Sequence, residues 1–149
     1  MTAQFSENIE VEGKPYSLHS TPLGPWLSEV KPPVRFVATS TACWRGYIGT
    51  WRIEQQRLYL VNLAGEVFTD EKASYADETF RTRTVTMDDL FPGWPDGVFA
   101  HWYSGELRII RGNLVRYKHQ GWMSRFEFEQ YLTVEAGVVV GERFVHNTE

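Results

Sequence analysis

The alternation of apolar and polar residues predicts an all-β fold: a single antiparallel β-barrel or a two-layer β-sandwich of about 8–10 strands with one short helical turn. Three observations carry that expectation. Period-two patterning runs through almost the whole chain. Turn-forming residues interrupt it at short intervals. Aromatic residues reach 15%, with six Trp, seven Tyr and nine Phe in 149 residues. Large rings on a period of two fill the interior of such a sheet, and a sheet of this size must close or fold over to protect its edges. No linker, repeat or low-complexity tract divides the chain, so one domain over 1–149 is expected.

Taken in order, Ile9 to Leu18 reads as a hairpin around a Gly-containing turn. Thr21-Pro22-Leu23-Gly24-Pro25-Trp26 and Lys31-Pro32-Pro33 read as a loop in which proline excludes a continuous helix and Trp26 folds back as an anchor. From Arg45 to Leu63, Tyr47, Gly49, Trp51 and Ile53 share a face, Glu54-Gln55-Gln56-Arg57 reverses the chain, and Leu58 and Leu60 return on the same side. Glu54 and Arg57 then oppose each other as a cross-strand pair. Ala64 to Asp77 reads as a polar loop and Thr79 to Val85 as a strand.

Thr86-Met87-Asp88-Asp89 reads as a capped helical turn stopped by Pro92-Gly93. Val98 to Ile110 reads as one long strand, turned by Arg111-Gly112-Asn113, with Leu114 to His119 returning. Phe126 to Val134 and Val138 to Val145 form the last hairpin around Glu135-Ala136-Gly137. Ser124-Arg125-Phe126-Glu127 matches a capping box, but strict alternation favours a strand there. Tyr47, Trp51, Phe126 and Phe128 fall on core faces, and Glu129 on the solvent face.

Composition narrows the function classes. Apolar residues at 42%, charged residues at 23% and a net charge of -4 describe a globular, mildly acidic protein. No dense basic face is present, so duplex nucleic acid is not an expected partner. No apolar run approaches a membrane span, and no targeting or lipidation signal is seen; with a single cysteine, Cys43, a cytoplasmic location is expected. Eleven Arg against four Lys favour bidentate contacts to carboxylate or phosphate and stacking on rings.

Signature motifs for phosphate loops, nucleophile elbows, zinc helices and paired cysteines are absent. Neither cofactor nor metal is expected. Cys43 reads as a small core residue, and His19 and His146 as surface residues. A catalytic set is available in His101, His119 and Glu106, with Arg108 beside them, as general acid–base groups of a metal-independent hydrolase or nuclease. Register tests that set. With Arg111-Gly112-Asn113 as the loop, His119 meets Gly105 and lies roughly 13–14 Å from His101 along the strand. With Gly112-Asn113 alone as the loop, His119 meets Glu106 and His101 changes face.

The second candidate set is aromatic and Arg-rich: Trp44, Arg45, Tyr47, Trp102, Tyr103, Arg108 and Trp122. Rings with polar tips line ligand cavities or anchor interfaces, and neighbouring Arg can clamp an anion. This favours a non-enzymatic module that binds a protein partner or a small anionic ligand, such as an immunity-type or accessory protein. The sequence leaves the oligomeric state open.

Gly49-Thr50-Trp51, on a strand that enters a hairpin, resembles the Gly-x-Trp signature of calycin barrels such as lipocalins. Three residues carry that likeness, and it transfers no binding residue. Ser40 to Trp51 and Val98 to Glu106 are similar to segments of small bacterial all-β proteins of unassigned activity, over a region from Thr39 to Gly121. That resemblance implies a bacterial source and no mechanism.

Overall fold

A computed structural model describes residues 3–38, 40–69, 82–117 and 121–147. Its strands are β1 (Glu7–Val11), β2 (Lys14–Leu18), β3 (Tyr47–Glu54), β4 (Arg57–Phe68), β5 (Thr82–Val85), β6 (Val98–Phe99), β7 (Gly105–Arg116), β8 (Arg125–Glu135) and β9 (Val138–His146). Two short helices, α1 (Gly24–Glu29) and α2 (Met87–Leu90), complete the described elements. The all-β expectation holds.

All strands belong to one sheet of order β3-β1-β2-β7-β8-β9-β4-β5, with β6 on β4. β3 pairs with β4 as well as β1, so the path of pairings returns to its start. The sheet is mixed, which corrects the purely antiparallel expectation: β1 runs parallel to β3, with Ile9 beside Trp51. A hairpin supplies the β1–β2 pairing, whereas the β1–β3 pairing must be made across the intervening loop.

Alternation positions the core. Ile9, Leu18, Trp51, Leu58, Leu60, Leu107, Ile109, Leu132 and Val134 point inward and are buried. Each such side chain contributes about 1.5–3 kcal/mol relative to exposure. The β3–β4 hairpin has the expected register, with Glu54 opposite Arg57 and Ile53 opposite Leu58. Its turn residues Gln55 and Gln56 have φ of 50° and 62°, the left-handed geometry whose twist matches the flanking strands.

Four sequence expectations change. α1 forms where prolines argued for a loop, because Pro25 lies in the first turn, where its missing N–H removes no helical bond. Trp26 does fold back, with its ring 4.6 Å from Phe91 and 6.3 Å from Trp102. β4 continues as strand to Phe68, so the loop expected from Ala64 begins later; residues 70–81 lie outside the described range. The long strand from Val98 is two strands, β6 and β7, separated at Ala100–Ser104, where Tyr103 N–H donates to Ala100 O.

The fourth change is the largest. Gly112-Asn113 is no hairpin turn: β7 runs straight through it, and Arg111 and Leu114 oppose Phe128 and Phe126 of β8. Gly112, at φ 83°, supplies the left-handed residue of a bulge that accommodates the extra residue. Both registers proposed for His119 therefore fall away, and His119 itself lies outside the described residues. The last hairpin is present, with a two-residue turn at Ala136-Gly137 instead of three residues. No helix among the described residues is long and apolar enough to cross a membrane.

Candidate functional site

The inward alternation of β1 begins at Glu7, on the same face as Ile9 and Val11. The Glu7 side chain is completely buried. Its Oε2 accepts from Arg45 Nη2 at 2.8 Å, Arg45 Nε at 3.2 Å and the Gly49 N–H at 2.7 Å. Its Oε1 accepts from the Trp51 indole at 3.2 Å. A bulge between Thr50 and Trp51 accompanies this arrangement of the Gly49-Thr50-Trp51 run. Burial drives the Glu7 carboxyl above its usual range, against the opposing pull of Arg45, Gly49 and Trp51.

A second buried carboxylate balances the first. Glu129, expected on the solvent face, is buried and accepts from Arg108 Nε at 2.6 Å, the Phe126 N–H at 3.2 Å and the Tyr131 hydroxyl at 3.0 Å. Asn147 Nδ2 adds a contact of 2.8 Å. Burial raises the Glu129 carboxyl, but Arg108, Phe126 and Tyr131 outweigh it and hold the group below its usual range.

These two ion pairs meet at Trp122. Arg45 lies over the Trp122 ring, 5.4 Å from its centroid, and Arg108 Nη1 donates to the Trp122 carbonyl at 2.5 Å. The Trp122 indole donates to Gln4 O at 3.0 Å, and its ring stacks on His19 at 5.2 Å. His19 is thus no surface residue. Its buried Nδ1 has no hydrogen-bond partner, and burial, with Arg108 nearby, lowers its pKa to about 4.

Three chain segments meet around this point. Gln4 N–H donates to Gly121 O, Phe5 N–H to Ala42 O, and the Trp44 N–H to Gln4 Oε1. They leave Phe5 52%, Trp44 59% and Met123 60% exposed. Gln4, Thr21, Trp44, Arg45, Gly121 and Trp122 line a shallow hollow of about 270 Å³.

No family model, curated protein or solved structure matches this chain. The geometry of its own residues therefore carries the functional argument.

The Trp44, Arg45 and Trp122 part of the aromatic set is gathered at this end. Tyr47 is buried against Phe36, 4.9 Å away, and burial and Glu7 push its hydroxyl pKa up. Trp102 stacks on Phe91 at 5.7 Å and donates to Pro22 O at 2.8 Å. Tyr103 is buried, with its hydroxyl donating to Glu106 O at 2.6 Å. Those three rings are packing elements, and Arg108 is occupied by Glu129, Trp122 O and Ser124 O.

The acid–base set is not assembled among the described residues. His101 is exposed and packs edge-on against Trp102 at 5.6 Å. Glu106 pairs with Arg143 at 3.2 Å on the surface, and Arg108 turns to Glu129. Cys43 is buried, its Sγ 3.5 Å from Tyr47 O. No group of three or more His, Cys, Asp or Glu side chains among the described residues is placed to hold a metal ion.

A larger cleft of about 460 Å³ lies elsewhere, floored by Trp26, Val67 and Leu90. Lys31, Arg35 and Arg83 stand on its walls, with Asp89 3.7 Å from Arg83.

Glu7 and Glu129 escaped sequence reasoning for different reasons. Glu7 sits two residues before Ile9, so its parity with Ile9 and Val11 is a usable signal. Glu129 has outward parity, and only the distant Arg108 and Asn147 explain its burial.

Proposed function

We propose that this protein is a non-enzymatic binding module that docks a protein partner through Trp44, Phe5 and Met123. The observation that carries the reading is the exposed Trp44 on the hollow lined by Arg45 and Trp122, with exposed Phe5 and Met123 next in sequence to its lining residues Gln4 and Trp122. Interface hot spots favour Trp and Arg in partly desolvated surroundings. The hollow is smaller than the roughly 300–1,000 Å³ of ordinary small-molecule pockets and suits one inserted partner side chain. An immunity-type or accessory protein masking a toxin or effector is the form of this reading that fits an acidic domain of this size. The circuit of pairings from β3 back to β3 supports a closed barrel as its scaffold. The lone buried cysteine supports a reducing, cytoplasmic setting.

The test is quantitative pull-down of the native partner with wild type and Trp44→Asp, both shown to have the same melting temperature. The expected result is one stoichiometric protein recovered by wild type and lost with Trp44→Asp. Equal recovery by both overturns the reading.

A second reading, a small anionic ligand, draws on the Lys31, Arg35 and Arg83 cleft. Its test is calorimetric titration with inorganic phosphate and with benzoate; no heat up to millimolar concentration overturns it.

A further inference from the structure

Beyond that partner-binding end, the pairings expose a second feature. β9 pairs with β8 from Val138 to His146, but its other edge meets β4 only at Arg57↔Val138. Val139 N–H reaches Gln56 O, and no described strand covers the edge beyond it. A bulge at Val140 shifts the strand there, and Val140 and Phe144 are 54% and 60% exposed.

This edge borders a groove of about 960 Å³ between the β1–β2 and β3–β4 turns and the inner face of β8 and β9. Its apolar surface comes from Val11, Ile53, Leu132, Val139 and Phe144. Its charge is one-sided. Glu12, Glu54 and Glu142 lie on the groove, and none has an ion-pair partner among the described residues. Among the described residues Glu142 accepts only from the neutral Gln130 amide, at 3.0 Å. Arg111, the cation in the groove, donates to Gln130 Oε1 at 3.0 Å and covers the Tyr16 ring at 4.4 Å.

We infer that this groove binds an extended, basic peptide segment of a partner, added as a strand to the free edge of β9. Main-chain hydrogen bonds to Val140–His146 supply the docking, since an open strand edge offers unpaired N–H and C=O groups. Alternate side chains of an extended peptide point to opposite faces. Those on the groove face carry the recognition: Lys or Arg stems lie along Leu132 and Phe144, and their charged heads meet Glu12, Glu54 and Glu142. A second copy of this chain is the wrong occupant: a two-fold interface would set like carboxylate rims against each other.

The test uses the full chain, ¹⁵N-labelled, titrated with an alternating Lys-Val octapeptide and with its Glu-Val counterpart. The expected result is saturable amide shifts at Val140–His146 with the Lys-Val peptide only. Affinity should fall about tenfold or more in a Glu54→Lys/Glu142→Lys variant whose melting curve is unchanged, and Trp44→Asp should leave it unaffected. That last control separates this groove from the Trp44 surface. Equal binding of both peptides, no shifts at millimolar Lys-Val peptide, or concentration-dependent shifts of β9 without peptide would each overturn the inference. The last outcome would identify a self-associating edge.

Discussion

The Arg45 guanidinium stands 2.8 Å from the Glu7 carboxylate, inside a site that leaves Glu7 no solvent exposure. A carboxylate so placed stays folded only while its donors stay with it. Arg45→Leu leaves the Gly49 and Trp51 donors and removes the balancing charge. The expected loss is about 3–5 kcal/mol, as for other broken buried pairs, read from the urea unfolding midpoint. The double variant Glu7→Leu/Arg45→Leu should recover much of that loss. A double variant as unstable as Arg45→Leu would show that the packing of the stems, not the charge, holds this region.

His19 gives a defined acid sensitivity. Its pKa is lowered from 6.5 to about 4 in the folded protein. The unfolded chain therefore takes up the proton first as pH falls, so the contribution of neutral His19 is full above 6.5 and declines from there towards 4. Glu129, held below its usual range, adds a second loss only at lower pH. Thermal melts between pH 7.5 and 4 should show a falling midpoint, and His19→Phe, which keeps a ring against Trp122, should flatten the upper part of that slope. An unchanged slope in His19→Phe would assign it to other groups.

Trp44 and Trp51 should behave oppositely. Trp51 is fully buried and donates to Glu7, so Trp51→Ala should cost about 3–5 kcal/mol or prevent folding. Trp44 is exposed, and Trp44→Ala should change stability by about 0.5 kcal/mol or less while weakening partner binding at least tenfold. Denaturation curves and partner titrations on the same samples check both halves.

Gly49 has no room to grow. A Cβ there would stand 2.7 Å from Glu7 Oε1 and 2.8 Å from Trp51 Nε1. Gly49→Ala should therefore displace the carboxylate and destabilise the fold by about 1–3 kcal/mol. A crystal structure or NMR spectrum of a stable Gly49→Ala protein would show an altered Trp51 indole environment. An unperturbed indole would contradict this account of the Gly-x-Trp run.

Three hairpins, β1–β2, β3–β4 and β8–β9, were legible from alternation and a short turn. Tyr47 to Leu63 illustrates this, since its inward residues and the Glu54↔Arg57 register are both local consequences of sequence. Gly112 was misread because a hairpin turn and a bulge both ask for a left-handed glycine. The partner, β8, decides between them, and it lies well downstream. Pro25 was misread for a similar reason: proline breaks a helix from within but starts one readily. Phe128, expected in the core, is exposed and stacks on His146 at 4.6 Å, because β8 and β9 extend past the enclosed interior. Of the candidate site, Trp44, Arg45 and Trp122 were legible as an aromatic–Arg set. Phe5 and Met123 were not, since nothing local ties them to Trp44.

The parallel seam between β1 and β3 sets an order of events. β1 can pair with β2 through a two-residue turn, but Ile9 reaches Trp51 only after the loop, α1 and the approach to β3 have been traversed. Closing so long a loop is entropically slow, and native pairings of this kind delay folding. Until that seam zips, Glu7 has neither Arg45 nor Gly49 beside it and remains hydrated. The charged cradle is therefore a late-forming lock: its desolvation follows the docking of β1 and cannot nucleate it.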